Sequence, residues 1–450
     1  MKIGPSVFGK FALVVKNATW LTVFEVLRVI MPFIALPYLF HVVGEDLYGN
    51  VVFAQAIVAC FSLAVNFGLD ISAVRDVARL RNDKPELDAL VSAVMIIKAA
   101  LCIVAFLVLA ALVGTVPRLS RDAVLFYFAG LSCIADVLLP VWYYQGKEKM
   151  KLLTVIRFFS IAFYTASIFA VVRSADDYVY IPLLQSGGMI LSALVSCYFL
   201  FGRDRIRFHI PPLSLIGLKF RESVPFFLSR ASLTVNTYMA KIMCGFYLSS
   251  SDVAAFDVAQ KICNGGMVPM QMFNQALYPS LSKSQNRDML RRSLGIVTLL
   301  TSAVALLLFF LSGWLTDMLS HGKTPEAGNL MRILCLYIFM GGFSLFLGSS
   351  ALVSFGHQRP FNLSVLLSSA LLLICYALMV LTQNNSIYLY ALTLVLAECV
   401  VLGYRFRYCR KYGLVGLGDM VSQGFKDSMI QRFKGCRRGE KKEKNDGTYN

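Results

Sequence analysis

The chain of 450 residues is 57% hydrophobic and 15% charged, with a mean hydropathy of +0.65. This composition excludes an ordinary soluble globular protein and indicates a polytopic membrane protein. The formal net charge is +17. In a soluble protein that charge would suggest nucleic-acid binding, but here most of it lies in short loops between apolar segments, where it marks topology, and in a basic tail.

The chain begins with residues 1–17, in which Lys2, Lys10 and Lys16 are interspersed with apolar side chains. This pattern predicts a short amphipathic helix at the membrane interface. Because the segment lacks an apolar core followed by a small-residue cleavage site, we do not expect a cleavable signal peptide.

Apolar segments long enough to cross a hydrocarbon core of about 30 Å recur along nearly the whole chain, and about twelve transmembrane helices are predicted. The fold class is therefore all-α, with an N-terminal lobe at residues 18–221 and a C-terminal lobe at residues 222–404. The predicted spans are 18–40, 50–70, 89–114, 122–144, 152–172, 178–201, 224–248, 253–279, 294–316, 328–355, 362–382 and 386–404.

Lysine and arginine are distributed unevenly between the two alternating sets of loops. One set is rich in both, whereas the other offers only Arg118, Arg121, Arg173 and Lys323. Because positively charged short loops stay in the cytoplasm, both termini are predicted to be cytoplasmic.

Residues 405–450 form a basic tail that ends in a polar run. This composition predicts a disordered cytoplasmic segment that is attracted to anionic lipid headgroups. A site for a specific partner is the alternative.

Motifs for enzymatic chemistry are missing from the sequence. Most of the eleven cysteines lie inside spans, and they form no C-x-x-C pair or Cys/His cluster. A Walker P-loop, a G-x-S-x-G elbow and an H-E-x-x-H motif are also absent. We therefore predict no disulfide, no metal site, no cofactor and no ATP hydrolysis, and we do not expect an enzyme.

Polar residues recur at helical spacing on the seventh and eighth spans. On the seventh, Arg230, Thr234, Thr237 and Lys241 are four, three and four residues apart, which places them on one helix face. The stripe on the eighth span consists of Asp257, Lys261, Asn264, Gln271, Gln275 and Tyr278. Since polar groups that face lipid have no partners, these two helices are predicted to share a hydrated wall that carries cations.

The first and second spans carry similar stripes. Their members are Glu25 and Arg28 on the first span, and Gln55, Ser62, Asn66 and Asp70 on the second. A shift of 205 residues aligns Ala54-Gln55-Ala56-Ile57 with Ala259-Gln260-Lys261-Ile262. The match suggests two homologous halves, and transporters commonly bind substrate where such repeats meet.

Several short motifs give the chain a resemblance to a known family. They are Leu36-Pro37-Tyr38-Leu39, Val43-Gly44-Glu45-Asp46-Leu47-Tyr48-Gly49, Asn66-Phe67-Gly68-Leu69, Trp142-Tyr143-Tyr144-Gln145-Gly146-Lys147-Glu148-Lys149-Met150 and Tyr278-Pro279-Ser280-Leu281-Ser282. With these motifs in this order, the sequence resembles the Wzx-type O-antigen/polysaccharide flippases of the multidrug/oligosaccharidyl-lipid/polysaccharide exporter superfamily. The resemblance covers nearly the whole length of the chain. One departure is Asp252-Val253-Ala254-Ala255-Phe256, where that family more often has glycine and then tyrosine.

The resemblance implies two six-helix lobes around a central cavity, walled mainly by the first, second, seventh and eighth helices, in a bacterial inner membrane. It also implies the function, which is to move an oligosaccharide attached by pyrophosphate to a polyprenyl lipid from the cytoplasmic to the periplasmic leaflet. Glycan polymerase or chain-length machinery and anionic lipids are the other expected partners.

Cations in a hydrated, low-dielectric cavity attract phosphate. The candidate substrate contacts are Arg28, Arg230, Lys241 and Lys261. The other polar cavity candidates, some of which could couple transport to an ion, are Glu25, Gln55, Asn66, Asp70, Asp257, Asn264 and Gln271. The coupling ion stays open between H⁺, Na⁺ and none.

The same cations also have structural interpretations. The spacings allow intrahelical ion pairs between Glu25 and Arg28 and between Asp257 and Lys261, and Lys241 lies near enough to a span end to snorkel to the interface. Arg230 has no sequence-local partner and is the strongest candidate. Four further charged residues lie in or near spans that are not expected to line the cavity, namely Lys98, Asp136, Arg157 and Arg332.

Two other functions stay open. An exporter of organic cations needs unpaired carboxylates in its cavity, whereas the stripes on the seventh and eighth spans hold three cations against one acid. A non-transporting partner in glycan assembly should lack a polar stripe that continues through the bilayer.

Overall fold

The computed structural model describes residue 31 and residues 33–415. The predicted interfacial helix at residues 1–17, the Glu25 and Arg28 pair, and the tail beyond residue 415 lie outside the described residues. Each predicted span after the first coincides with a long helix.

The helices are numbered by span. They are α1 (Phe33–Val42), α2 (Glu45–Arg79), α3 (Lys84–Thr115), α4 (Ala123–Gly146), α5 (Met150–Val171), α6 (Ala175–Arg203), α7 (Leu213–Tyr247), α8 (Ser250–Ser284), α9 (Arg287–Ser320), α10 (Pro325–Val353), α11 (Gln358–Leu381) and α12 (Ile387–Lys411). Within the described part of the chain, nine are long and apolar enough to cross a membrane. The helices α7 and α8 are each 35 residues long and fall outside that group because their polar stripes lower the hydropathy. The predicted fold class, an all-α polytopic membrane protein, is confirmed.

A break divides α2 where the sequence reads Phe67-Gly68. Both residues are left-handed, with φ of 43° and 70°. A Cβ at Gly68 would lie 2.5 Å from the Phe227 backbone nitrogen, so only glycine lets α7 pass this close. The Phe67 ring stacks on Phe220 and Phe227 at centroid distances of 4.4 and 4.6 Å. The break therefore fastens α2 to α7, and it separates Asn66 from Asp70.

The sequence around Trp142 packs the core of the N-terminal helices. Pro140 interrupts α4, because proline lacks the N–H that a continuous helix requires. After it, Trp142, Tyr143 and Tyr144 are almost completely buried, and the Tyr144 hydroxyl donates to the Ser196 carbonyl at 2.6 Å. The three buried aromatic residues therefore stabilise the helix packing.

The loop between α4 and α5 is held by ion pairs. Arg81 contacts Glu148 at 2.7 Å, and Lys149 contacts Asp204 at 2.5 Å. The hydrogen bond from Arg81 lowers the pKa of Glu148 below its usual range. Arg81 and Lys149 therefore join neighbouring loops.

The described residues divide into two compact units. The first comprises residues 31–265, Leu311–Leu334 and Ser368–Leu394, and the second comprises Gly266–Phe310, Cys335–Leu367 and residues 395–415. The boundary between the units falls within each of the helices α8 to α12. The predicted lobe boundary at residues 221 and 222 stays a prediction.

Candidate functional site

The first unit contains a cavity of about 880 Å³. This volume lies within the range of about 300–1,000 Å³ that is usual for ligand pockets. Its walls come from α2 to α7. Its polar and charged lining residues are Asn66, Asp70, Lys98, Asp136, Gln145, Arg157, Ser160, Tyr164, Thr165, Gln185, Ser192 and Arg230. The cavity thus combines amide and hydroxyl groups with three cations and two acids.

Of the predicted substrate contacts within the described residues, Arg230 is the one that lines this cavity. Its guanidinium lies 3.9 Å from the Asp70 carboxylate, and the side chains are 45% and 31% exposed. At that distance and exposure the pair is loose and leaves most of the guanidinium donors accessible. The other carboxylate oxygen of Asp70, Oδ1, is buried without a hydrogen bond from the described residues.

The stripes on α2 and α7 share a second, smaller cavity of about 320 Å³. Its polar lining residues are Ser62, Asn66, Asp70, Arg230, Thr234, Thr237 and Tyr238. Arg230 and Asp70 line both cavities. The stripes on α2 and α7 therefore line one cavity of the first unit, and Arg230 is the predicted cation in it. Lys241 and the stripe on α8 are not part of its lining.

Lys98 and Asp136 belong to a polar cluster deep in the larger cavity. The Lys98 ammonium, on a residue only 2% exposed, donates to Asn66 Oδ1 at 2.7 Å and to the Asp136 carbonyl at 3.2 Å. The Asp136 carboxylate accepts from the Ser62 hydroxyl. This cluster joins the stripe on α2 to α3 and α4.

The expectation that Lys98, Asp136 and Arg157 lie away from the cavity was wrong, since all three line it. The physical reason is that none of the three belongs to a row of polar residues at helical spacing. Without such a periodic stripe, the sequence does not indicate that the three residues line one cavity. Arg332 does lie apart, where it donates to Ser312 and Asn329 in α9 and α10.

The other two predicted substrate contacts within the described residues, Lys241 and Lys261, both form ion pairs with Asp257. Their ammonium groups lie 2.7 and 2.6 Å from its carboxylate. The Tyr48 hydroxyl donates to the same carboxylate at 2.6 Å. Asp257 and Lys241 have side chains only 4% and 10% exposed, whereas Lys261 is 31% exposed. We call these four residues the Asp257 cluster. Its pair between Lys261 and Asp257 is the intrahelical ion pair that the sequence spacing allows.

A close contact between helix ends lies next to the Asp257 cluster in sequence. Arg118 donates to the Ser250 hydroxyl at 2.7 Å and to Asn50 at 3.2 Å, and Ser250 donates to Asn50 at 2.6 Å. A Cβ at Gly49 would lie 1.8 Å from the Ser250 carbonyl oxygen. The start of α2 and the start of α8 therefore touch backbone to backbone.

The remaining polar candidates have different surroundings. Gln55 donates to Gln185 at 2.6 Å and so reaches the lining of the larger cavity. Asn264 and Gln271 are exposed on α8. The substrate-binding and coupling roles of these residues stay predictions.

Comparison with known proteins identifies the family. Residues 14–285 match the family model described as polysaccharide biosynthesis protein. Two curated relatives carry the name "Putative O-antigen transporter". The one from Escherichia coli (strain K12) is 22% identical over 89% of this chain and 97% of its own length. The one from Shigella dysenteriae is 30% identical over 61% of this chain and 68% of its own length.

Solved structures give the fold. An inward-facing multidrug resistance MATE family transporter of the MOP superfamily is 14% identical, with a TM-score of 0.65 over 85% of this chain and 98% of its own. An outward-facing structure of a transporter described in the same words is 15% identical, with a TM-score of 0.58 over 89% and 95% of the two chains. The helices thus have the fold of these transporters. The family model and the two curated relatives show that the chain belongs to the polysaccharide biosynthesis protein family.

Proposed function

We propose that the protein is a flippase that moves polyprenyl-pyrophosphate-linked oligosaccharide repeat units, of O-antigen or capsule type, from the cytoplasmic to the periplasmic leaflet. The names of the relatives support this substrate class. The observation that carries the proposal is the cavity of about 880 Å³, in which Arg230 lies partly exposed among amide and hydroxyl side chains.

The charge of this cavity fits an anionic substrate. Its charged lining residues are the cations Lys98, Arg157 and Arg230 and the acids Asp70 and Asp136. One positive charge is therefore in excess, and it acts in a low-dielectric surrounding where electrostatic attraction is strong. Amide and hydroxyl groups such as Gln145 and Ser160 can exchange hydrogen bonds with sugar hydroxyls.

Export of organic cations is the second candidate, because the fold is shared with multidrug transporters. A cationic drug needs a surplus of carboxylates, and the charge balance of this cavity has the opposite sign. The similarity at 14–15% identity concerns the fold alone. The flippase is therefore the better supported of the two functions.

Orientation and partners belong to the same proposal. Both termini lie in the cytoplasm of a bacterial cell, and the basic tail contacts anionic lipids of the inner membrane. Glycan polymerase or chain-length machinery would receive the flipped product. No cofactor is required, because transport of this kind makes and breaks no covalent bond in the substrate.

A deletion strain separates the two candidate functions. Without this protein, cells should accumulate lipid-linked oligosaccharide in the cytoplasmic leaflet and lose the surface glycan, and the intact gene should restore it. Overexpression should leave resistance to cationic dyes unchanged. Increased dye resistance together with normal glycan display in the deletion strain would reverse this ranking.

A further inference from the structure

Arg157 is the one charged residue in an otherwise uncharged stretch, residues 152–171 of α5. An arginine inside a membrane span is costly unless it faces protein or water. Arg157 is only partly buried, and it lines the cavity that Arg230 also lines. Its position is therefore explained by the cavity rather than by the lipid.

Arg157 and Arg230 line this cavity from two different helices. Arg157 lies on α5 and Arg230 lies on α7, and only α6 separates these two helices along the chain. Two side chains that carry guanidinium groups, one from each predicted half of the sequence, thus line one cavity.

Lys98 has a different environment. It is 2% exposed, and its ammonium group is engaged by Asn66 and by the Asp136 carbonyl. A buried cation that is held in this way orients the polar cluster around it and has little surface for a ligand. The two arginines of the cavity are less buried than Lys98, since Arg157 is partly buried and the Arg230 side chain is 45% exposed.

We propose that Arg157 is a second substrate-binding residue, which together with Arg230 holds an oxyanionic group of the transported molecule. This inference rests on the proposed flippase function and names the group that the site recognises. Guanidinium groups form paired hydrogen bonds with phosphate and carboxylate oxygens, which a lysine cannot reproduce. The group has two chemical sources, namely the diphosphate of the lipid carrier and a carboxylate of an acidic sugar.

Binding to the purified protein tests the inference directly. The probes are a short-chain polyprenyl diphosphate and a soluble oligosaccharide of uronic acids, and thermal unfolding in detergent reports the affinity. The Arg157→Gln variant should bind the responsible probe about ten to a hundred times more weakly than the natural protein, because it loses charged hydrogen bonds. Arg157→Lys should recover part of that loss.

A matched control is Arg332→Gln. Arg332 is also an arginine within a predicted span, but it contacts Ser312 and Asn329 and lies outside the lining of this cavity among the described residues. The affinity of the Arg332→Gln variant for either probe should equal that of the natural protein. Binding of the diphosphate alone identifies the carrier as the source, and binding of the uronic-acid probe alone identifies the sugar.

Three outcomes would overturn the inference. They are unchanged affinity of Arg157→Gln for both probes, equal weakening by Arg332→Gln, and no binding of either probe to the natural protein. Glycan display in the deletion strain distinguishes this failure from failure of the proposed function. If the natural gene restores surface glycan and Arg157→Gln restores it equally at matched membrane levels, then only the role of Arg157 is lost. If the natural gene restores nothing, the flippase function itself is wrong.

Discussion

Replacing Asp257 by asparagine should destabilise the protein strongly. The carboxylate is the common acceptor for Lys241, Lys261 and Tyr48, at 2.6 to 2.7 Å. Removing it leaves two cations that repel each other. Lys261 is 31% exposed and can move toward water, but Lys241 is 10% exposed and cannot do so without rearrangement. Most of the cost therefore falls on Lys241.

The magnitude follows from this environment. Breaking a buried ion pair by removing one partner costs about 3–5 kcal/mol. We expect the lower end, about 3 kcal/mol, because the asparagine oxygen still accepts a hydrogen bond. That loss corresponds to a change of roughly a hundredfold in the unfolding equilibrium.

Thermal unfolding of the purified protein in detergent measures the effect, and two companion variants locate its cause. Lys261→Met should be milder than Asp257→Asn, because it leaves the pair between Lys241 and Asp257 intact. The double variant Asp257→Asn with Lys241→Met should recover most of the loss, since replacing both members of a buried pair is often nearly neutral. An Asp257→Asn protein as stable as the natural one, or a double variant less stable than that single variant, would refute this reasoning.

Three other changes have defined outcomes. Arg230→Lys should keep part of the surface-glycan display in a deletion strain, whereas Arg230→Gln should lose most of it and Arg230→Glu all of it. Membrane levels of the three variants should be near normal, because the Arg230 side chain is 45% exposed and makes few packing contacts. Full display with Arg230→Glu would exclude Arg230 as a substrate contact. Gly49→Ala should lower the thermal stability, because the new Cβ would lie 1.8 Å from the Ser250 carbonyl oxygen. Gly187→Ala should leave the thermal stability unchanged, because a Cβ at Gly187 has no atom within 4 Å. Equal stability of the two variants would contradict the close packing at Gly49. An impermeant thiol reagent should label single cysteines from outside the cell at one set of loops and not at the other, and labelling of the second set would reverse the proposed orientation. The first set is Asp46, Ser250 and Asn384, and the second is Lys149, Asn286 and His357.

The sequence predicted those parts of the site that repeat along one helix. Arg230, Thr234 and Thr237 recur at helical spacing, and the structure places them in one pocket with Asn66 and Asp70. The pairing of Asp257 with Lys261 was also readable, because four residues bring two side chains to the same helix face. Local periodicity carries this information without knowledge of the packing.

Contacts that depend on packing between helices could not be predicted from the sequence. Tyr48 donates to Asp257, which is 209 positions away in the chain. Lys98 and Arg157 belong to no periodic polar stripe, and they lie on separate helices. The break at Phe67 and Gly68 was also missed, because a glycine within an apolar span is compatible with an uninterrupted helix. Only the close passage of α7 explains why glycine is needed there.

Movement of a lipid-linked oligosaccharide across a vesicle membrane tests the flippase proposal most directly. The purified protein would be reconstituted into liposomes that contain the lipid-linked substrate, and a glycan-modifying enzyme added outside would report how much substrate reaches the outer leaflet. With the natural protein, modification should continue beyond the fraction that is accessible in protein-free vesicles, and Arg230→Glu should stop at that fraction. A natural protein that behaves like empty vesicles, or an Arg230→Glu variant that transports normally, would contradict the account.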